Sequence, residues 1–524
     1  MTRIELDRRE FLKGCCAAAT VGAVGPSLFF GGQAHAAPNG YDTIVHVFLR
    51  GGIDGLNLVL PIAGNDRIHY EEARPRIQVP VSGENAALPL TLANGSATGF
   101  GLHGGATGLR DIWTDGKLAI VHCCGMQTTV TRSHFDAQQY LDFGTPGSKG
   151  NGTGWIARAW DSQPGAPSRV VMPALAVNSR MPANLLGATD ALTMGSPTDF
   201  QLSGGSWAWQ QARDGSPAGY KGIRETLASM WQGNVGVEHA GRAADSALRT
   251  VAQQGYTATL PAGWPTTNVA RQLWTVAQSV RFDLGLRYAA LDVGGWDTHD
   301  GQGNNGAGYY RDRVRELSDA LAAFYGELSA GGEMSRVTVI VQSEFGRRVR
   351  ENGNSGTDHG YGNPLLVLGG PVNGRRFYGS WSGLAPEILS PYFGDIPVTT
   401  DYRRVFTELL QARMGHPGPT EVFPGYTGYS PLGMFATGAA AAATPHATAA
   451  PAPARRAPEP ALSNIRTSQA PPAPTVPAEA GEAAPVATGP IRHLRGTVRI
   501  PTRISEPLLR LRLRLYRLMQ QHRL

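Results

Sequence analysis

Short apolar runs alternate with amphipathic stretches between residues 42 and 176, the rhythm of βα units that build a parallel sheet. Residues 43–49 and 117–122 read as strands, and 135–143 reads as a helix. The rhythm lapses over 178–265, which is rich in Gly, Ser and Trp and holds one expected helix at 222–231. That stretch reads as an insertion over the sheet, a lid or cap. Periodicity returns with helices at 268–284 and 309–329, separated by a strand at 288–293. Strands at 337–342 and 365–368 and a helix at 401–414 follow. The pattern predicts one α/β domain over 37–436 with a mostly parallel sheet.

The two ends of the chain depart from this pattern. Asp7-Arg-Arg-Glu-Phe-Leu-Lys13 resembles a twin-arginine export signal, and the apolar stretch behind it ends in Ala34-His-Ala36, a plausible cleavage site. The stretch is short and rich in Ala and Gly, too weak for a stable membrane span. Residues 1–36 are therefore expected to be a signal peptide. Partners of the twin-arginine export machinery and a periplasmic or extracellular location follow. Residues 437–490 are Ala/Pro-rich and cannot bury enough surface to fold, so a disordered linker is expected. Residues 491–524 form a basic tail, in which leucine and arginine alternate over 508–518. It either contacts an anionic membrane or wall polymer or is a poorly ordered end.

Charge and cysteine usage narrow the class. The chain carries a net +6, but the tail alone holds nine arginines against the single acid Glu506. The domain is thus close to neutral and shows no nucleic-acid footprint. Cys123 and Cys124 are adjacent, a geometry that strains a mutual disulfide, so this is not a disulfide scaffold. Cys124 has no base visibly paired with it, and a buried strand end suits it better. No nucleophile-elbow sequence occurs, and no Gly-x-Gly-x-x-Gly fingerprint follows a strand to suggest a dinucleotide.

Four strands end in clusters of donor side chains, and open α/β sheets bind ligands at the carboxyl ends of their strands. After 43–49 comes Gly51-Gly-Ile-Asp-Gly55, whose glycines let the backbone bring Asp54 close to a ligand. After 288–293 comes Gly295-Trp-Asp-Thr-His299, a carboxylate and an imidazole two residues apart. Ser343-Glu-Phe-Gly346 ends a very apolar strand, and a buried acid such as Glu344 needs a partner, either a metal or Arg347 or Arg348. Asp358 and His359 add two donors in a Gly/Asn-rich loop. After 117–122, Thr131-Arg-Ser-His134 opens a helix. A hydroxyl there is either an N-cap or a nucleophile facing the helix dipole. Arg132 could clamp phosphate, and His134 could act as acid or ligand.

The ordered set GGIDGLN, TRSHFDAQ, GGWDTH, SEFGR and TDHGYGN, behind a twin-arginine signal, resembles the exported family catalogued as domain of unknown function 1501. That family is placed in the alkaline phosphatase/sulfatase-like superfamily, and the resemblance covers about 42–434. It implies a three-layer α/β/α sandwich with one or two divalent ions (Zn, Mg, Ca or Mn). It also implies hydrolysis of a phosphate or sulfate ester. Asp54, Asp297, His299, Glu344 and His359 fall at ligand positions, with Asp358 in reserve. Ser133, or Thr131, falls where the nucleophile begins a helix. Phe345 stands where the superfamily has a histidine ligand, so one nitrogen is missing unless His134 or Asp358 supplies it. The rival expectation is a non-catalytic, metal-stabilised module that binds an envelope component or glycan.

Overall fold

The computed structural model describes residues 42–435, apart from 151, 164–169, 189, 198–222, 234–237, 239–244, 246–249, 252, 371 and 392–393. The expected signal peptide, linker and basic tail lie outside the described residues, as does much of the expected insertion.

The chain opens with β1 (Thr43–Leu49), β2 (Val59–Pro61), helix α1 (Gly64–Ala73), β3 (Leu88–Thr91) and β4 (Ala97–Leu102). Helix α2 (Thr107–Thr114), β5 (Leu118–Gly125), α3 (His134–Phe143) and α4 (Trp155–Asp161) follow, then β6 (Ala174–Ala176) and β7 (Ala191–Thr193). Next come α5 (Ile223–Met230), α6 (Asn268–Arg281), β8 (Tyr288–Val293), α7 (Tyr309–Gly331) and β9 (Val337–Ser343). The described domain ends with β10 (Asn363–Gly369), β11 (Arg376–Tyr378), β12 (Thr400–Asp401) and α8 (Tyr402–Met414).

The main sheet runs β11-β5-β10-β9-β1-β8-β6-β7, with β12 beside β5. Every pairing is parallel except the two made by β10, which runs against both β5 and β9. Side chains alternate across a strand, so a sheet covered on both faces sends alternate residues into two cores. That is what β1 does: Val45, Val47 and Leu49 enter one apolar cluster, and Ile44 and Phe48 enter the other. The first cluster holds Leu109 of α2, Leu273 of α6 and Phe324 of α7; the second holds Leu141 of α3, Trp155 of α4 and Phe406 of α8. The result is a three-layer α/β/α sandwich, as expected.

Two features depart from the sequence reading. A small antiparallel sheet, β2-β4-β3, occupies a stretch where no strands are expected. Residues 191–193, inside the stretch read as an insertion, form β7 and extend the main sheet beside β6. Both are strands of three to six residues, too short to show a period. Among the described residues, no helix is long and apolar enough to cross a membrane.

Candidate metal centre

The site is built where strands end. Past β1 the backbone turns through Gly51 and Gly52, both at positive φ. A Cβ on Gly51 would lie 2.5 Å from the Asp297 backbone nitrogen, so only glycine lets the first loop touch the loop after β8. The Gly51 N–H then donates to Glu344 Oε1 at 2.9 Å, tying the end of β1 to the end of β9. Residues 358–359 precede β10 instead of following a strand. Because β10 is antiparallel to its neighbours, its amino end lies on the same edge as their carboxyl ends.

Among the described residues, His134, Asp297, His299 and His359 bring one donor atom each to within 4.8 Å of one another. Asp297 Oδ1 lies 3.5 Å from His134 Nε2, 3.4 Å from His299 Nε2 and 3.8 Å from His359 Nε2. The Nε2 atoms of His299 and His359 are 2.7 Å apart. A tetrahedron built on bonds of ~2.0–2.1 Å has edges of ~3.3 Å, and these separations bracket that value.

The hydrogen bonds behind the rings fix what each presents inward. His359 Nδ1 donates to the Arg132 carbonyl at 2.7 Å, and a carbonyl can only accept. His134 Nδ1 donates to Glu344 Oε1 at 2.8 Å, and His299 Nδ1 to Asp358 Oδ1 at 3.2 Å. With Nδ1 donating, each ring in its neutral form turns an Nε2 lone pair toward the others. Burial, with the charges of His134 and Arg347 adding to it, lowers the His359 pKa to about 4, so this ring is neutral near pH 7. His134 Nε2 is buried without a hydrogen-bond partner. Three converging lone pairs beside a carboxylate repel one another unless a cation joins them, so the residues present fit a metal ion.

Asp297 is held from behind by Arg347, whose Nη2 is 2.6 Å from Oδ1. Partial burial works to raise the Asp297 pKa. The hydrogen bond and charge of Arg347, with the nearby histidines, outweigh it and hold the carboxyl below its ordinary value. Arg347 is itself fully buried and donates to the carbonyls of Gly51, Gly52 and Thr357. One guanidinium thus knits together three of the loops that carry the site.

The remaining residues singled out from the sequence stand elsewhere. Glu344, expected as a ligand, lies one layer back: its Oε1 accepts from Gly51, His134 and Gln138. Burial favours its neutral acid, yet these bonds keep its pKa below the ordinary value. Asp358 also stands behind its histidine, accepting from Asn352 at 3.2 Å as well as from His299. Asp54 is outside the donor group. Its fully buried carboxylate pairs with Arg74 at 2.6 Å and accepts from Gln302 at 2.6 Å, so the protein supplies its counter-charge. Arg132 pairs with Asp395 and donates to the His359 carbonyl at 3.3 Å, which occupies it as a strut.

Ser133 is the N-cap of α3, its hydroxyl accepting from the Asp136 N–H at 3.3 Å. Thr131 Oγ1 in turn accepts from the Ser133 N–H at 3.1 Å. Both hydroxyl oxygens therefore accept N–H groups at the helix start. Replacing Ser133 with alanine should cost ~1 kcal/mol of stability, the value of a lost cap, and leave metal content unchanged. Thermal melts and elemental analysis check this; loss of metal would show that the hydroxyl reaches the site.

Phe345 packs under the cluster, its ring centroid 4.9 Å from that of His134 and 4.8 Å from that of His359. His134, offered from the sequence as one source of the missing nitrogen, is the residue the structure brings into the group. Gln138, Arg74 and Asp395 did not emerge from the sequence as site residues, although Gln138 is spaced four from His134 on one helix face. Arg347, expected as one partner of Glu344, pairs with Asp297 instead.

Residues 264–415 match the model of the family described as "Protein of unknown function (DUF1501)", in agreement with the resemblance read from the motifs. No curated protein matches this chain. Among solved structures, a protein in the alkaline phosphatase superfamily from Vibrio parahaemolyticus is similar at 9% identity and a TM-score of 0.26, with 72% of each chain covered. The lipoteichoic acid synthase LtaP from Listeria monocytogenes is similar at 9% identity and a TM-score of 0.27, with 68% of this chain and 71% of that one covered. The PsFucS1 sulfatase from Pseudoalteromonas sp. is similar at 10% identity and a TM-score of 0.29, with 80% and 74% covered. At scores this low the fold assignment rests on the sheet topology itself.

Proposed function

We propose that the chain is an exported hydrolase of phosphate or sulfate esters that depends on one divalent metal ion. The observation that carries the metal is the convergence of three Nε2 lone pairs and Asp297 Oδ1. The ester class rests on the motif resemblance. Three imidazoles and one carboxylate favour zinc or another transition ion over magnesium or calcium, which prefer all-oxygen shells. A divalent ion held by His134, Asp297, His299 and His359 would supply Lewis acidity for an ester oxygen and for water.

The chain's own residues prepare the site. Glu344, Asp358 and the Arg132 carbonyl orient the three rings and fix their tautomers. Arg347 holds Asp297 ionised. Asp297 and His299 remain partly exposed, with 52% and 42% of their side-chain surface open, so a substrate can reach the donor group from solvent. With Ser133 and Thr131 engaged at the helix start, the attacking group in this reading is water.

Glutamine in place of Glu344 keeps the shape but removes the charge behind His134. Divalent affinity should fall ~10- to 100-fold, the usual effect of losing such a partner. A chelator-competition titration reads this directly, and an unchanged affinity would show that Glu344 is a packing residue.

The alternative, a non-catalytic metal-stabilised module that binds an envelope component or glycan, draws support from one observation: Arg132, the expected anion clamp, is tied to Asp395. Elemental analysis of the purified protein, followed by a screen of phosphate mono- and diesters and sulfate esters with the metal found, separates the two. Turnover that disappears with chelation and returns with metal supports the hydrolase; bound metal without turnover of any ester supports the module. Export by the twin-arginine pathway and contact of residues 491–524 with anionic surfaces belong to the same proposal, on the sequence features described above.

A further inference from the structure

A groove of about 450 Å³ is lined by Asp358, the residue hydrogen-bonded to His299 of the donor group. Asp358 is the shared wall: it accepts from His299 Nδ1 at 3.2 Å and also lines the groove. Helix α1 contributes His69, Glu72 and Ala73, the segment after β9 contributes 348–351, and Leu384 and Leu389 close the far side. The volume falls within the ~300–1,000 Å³ of sites that enclose small molecules and greatly exceeds what a phosphate or sulfate group needs. Its floor is apolar, since Val349 and Leu384 belong to a buried cluster with Tyr70 and Ile396. Its rim is charged. An occupant with one apolar face and a polar edge suits such walls.

The charges decide what that edge carries. Glu351 is satisfied from below, accepting from Arg76 Nε at 2.6 Å and from the Arg76 and Ile77 N–H groups. Asp358 faces Arg348 at 3.6 Å as well as His299. Glu72 lies 3.9 Å from His69 and points largely into solvent. Arg350 is exposed, lines the groove and has no carboxylate partner among the described residues. It is the one strongly basic side chain of the lining left without a counter-charge there.

We propose that this groove binds the alcohol portion of the substrate, and that this portion is a polyhydroxylated carboxylic acid of the sugar-acid type, its carboxylate paired with Arg350. The hydroxyl groups meet the polar rim, the ring carbons lie on the apolar floor, and the scissile group is left at the His299 side of Asp358. The identification of the occupant as part of an ester rests on the hydrolase reading; the binding itself does not.

The test uses a matched pair of probes, glucuronate and glucose, which differ by one carboxylate. Their binding to the full-length, metal-loaded protein is followed by ligand-observed NMR, with no ester present. Glucuronate should bind at least tenfold more tightly than glucose. The advantage should disappear in Arg350→Ala, an exposed position whose replacement does not threaten the fold, and both probes should weaken in Ala73→Trp, which fills the groove. Equal binding of the two sugars, no binding of either, or an advantage that survives Arg350→Ala overturns the proposal. A protein that prefers glucuronate but turns over no ester loses the hydrolase reading and keeps this site. One that turns over esters but ignores glucuronate loses this site alone.

Discussion

Alanine at His359 should reduce bound divalent metal from about one ion per chain to a small fraction of that, and affinity should fall ~100-fold or more. His359 is tied in two directions, by its Nδ1 to the Arg132 carbonyl and by its Nε2 toward His299 and Asp297. Its loss removes a donor and loosens the loop that presents it. Because a bound ion stabilises only the folded state, saturating metal adds ~2.7 kcal/mol at a hundredfold excess over Kd. The variant should lose that metal-dependent rise in Tm, read as the difference between metal-free and metal-loaded melts of each protein. A His359→Ala protein that keeps one ion at wild-type affinity is incompatible with the ligand set. Alanine at His69, outside the donor group, should leave metal content untouched.

The second large effect concerns stability. Replacing Arg74 with alanine should cost ~3–5 kcal/mol, because it strands a fully buried Asp54 carboxylate. One of its oxygens, Oδ1, is already buried without a hydrogen-bond partner, so the remaining Gln302 contact cannot compensate. The double replacement of Asp54 by asparagine and Arg74 by methionine should be less destabilising than Arg74→Ala alone, since no uncompensated charge remains. Chemical denaturation measures both. Metal content should be unchanged in the folded double variant. Loss of metal there, without loss of stability, would return Asp54 to the ligand set.

Asp54 shows where local reading stops. Gly51-Gly-Ile-Asp-Gly55 correctly marked a tight turn at the end of the first strand, and Gly51 does let two loops meet. Nothing in that segment says that Arg74, twenty residues on, will claim the carboxylate. The long elements were legible because both periods were sustained. β1 and β8 fall at the expected residues, and α3, α6 and α7 start within one residue of expectation. β7 and the β2-β4-β3 sheet were not, being too short for a period to emerge.

The placement of His359 depended on a fact that no motif contains. A loop ahead of a strand reaches the active edge only if that strand runs against its neighbours, and β10 does. The donors were legible by residue type, but their division into two layers was not. Glu344 and Asp358 are carboxylates like Asp297, and only the positions of the His134 and His299 rings put them behind instead of beside the lone pairs. Ser133 was legible both as a cap and as a nucleophile, and the geometry at Asp136 favours the cap.

Anomalous diffraction tests most directly for a single ion among His134, Asp297, His299 and His359. Crystals of metal-loaded protein, measured on both sides of the metal's absorption edge, should show one anomalous peak within about 2.0–2.2 Å of the three Nε2 atoms and an Asp297 oxygen. A peak against Asp54 or Glu344, or no peak at the four residues from protein shown to contain metal, would contradict it.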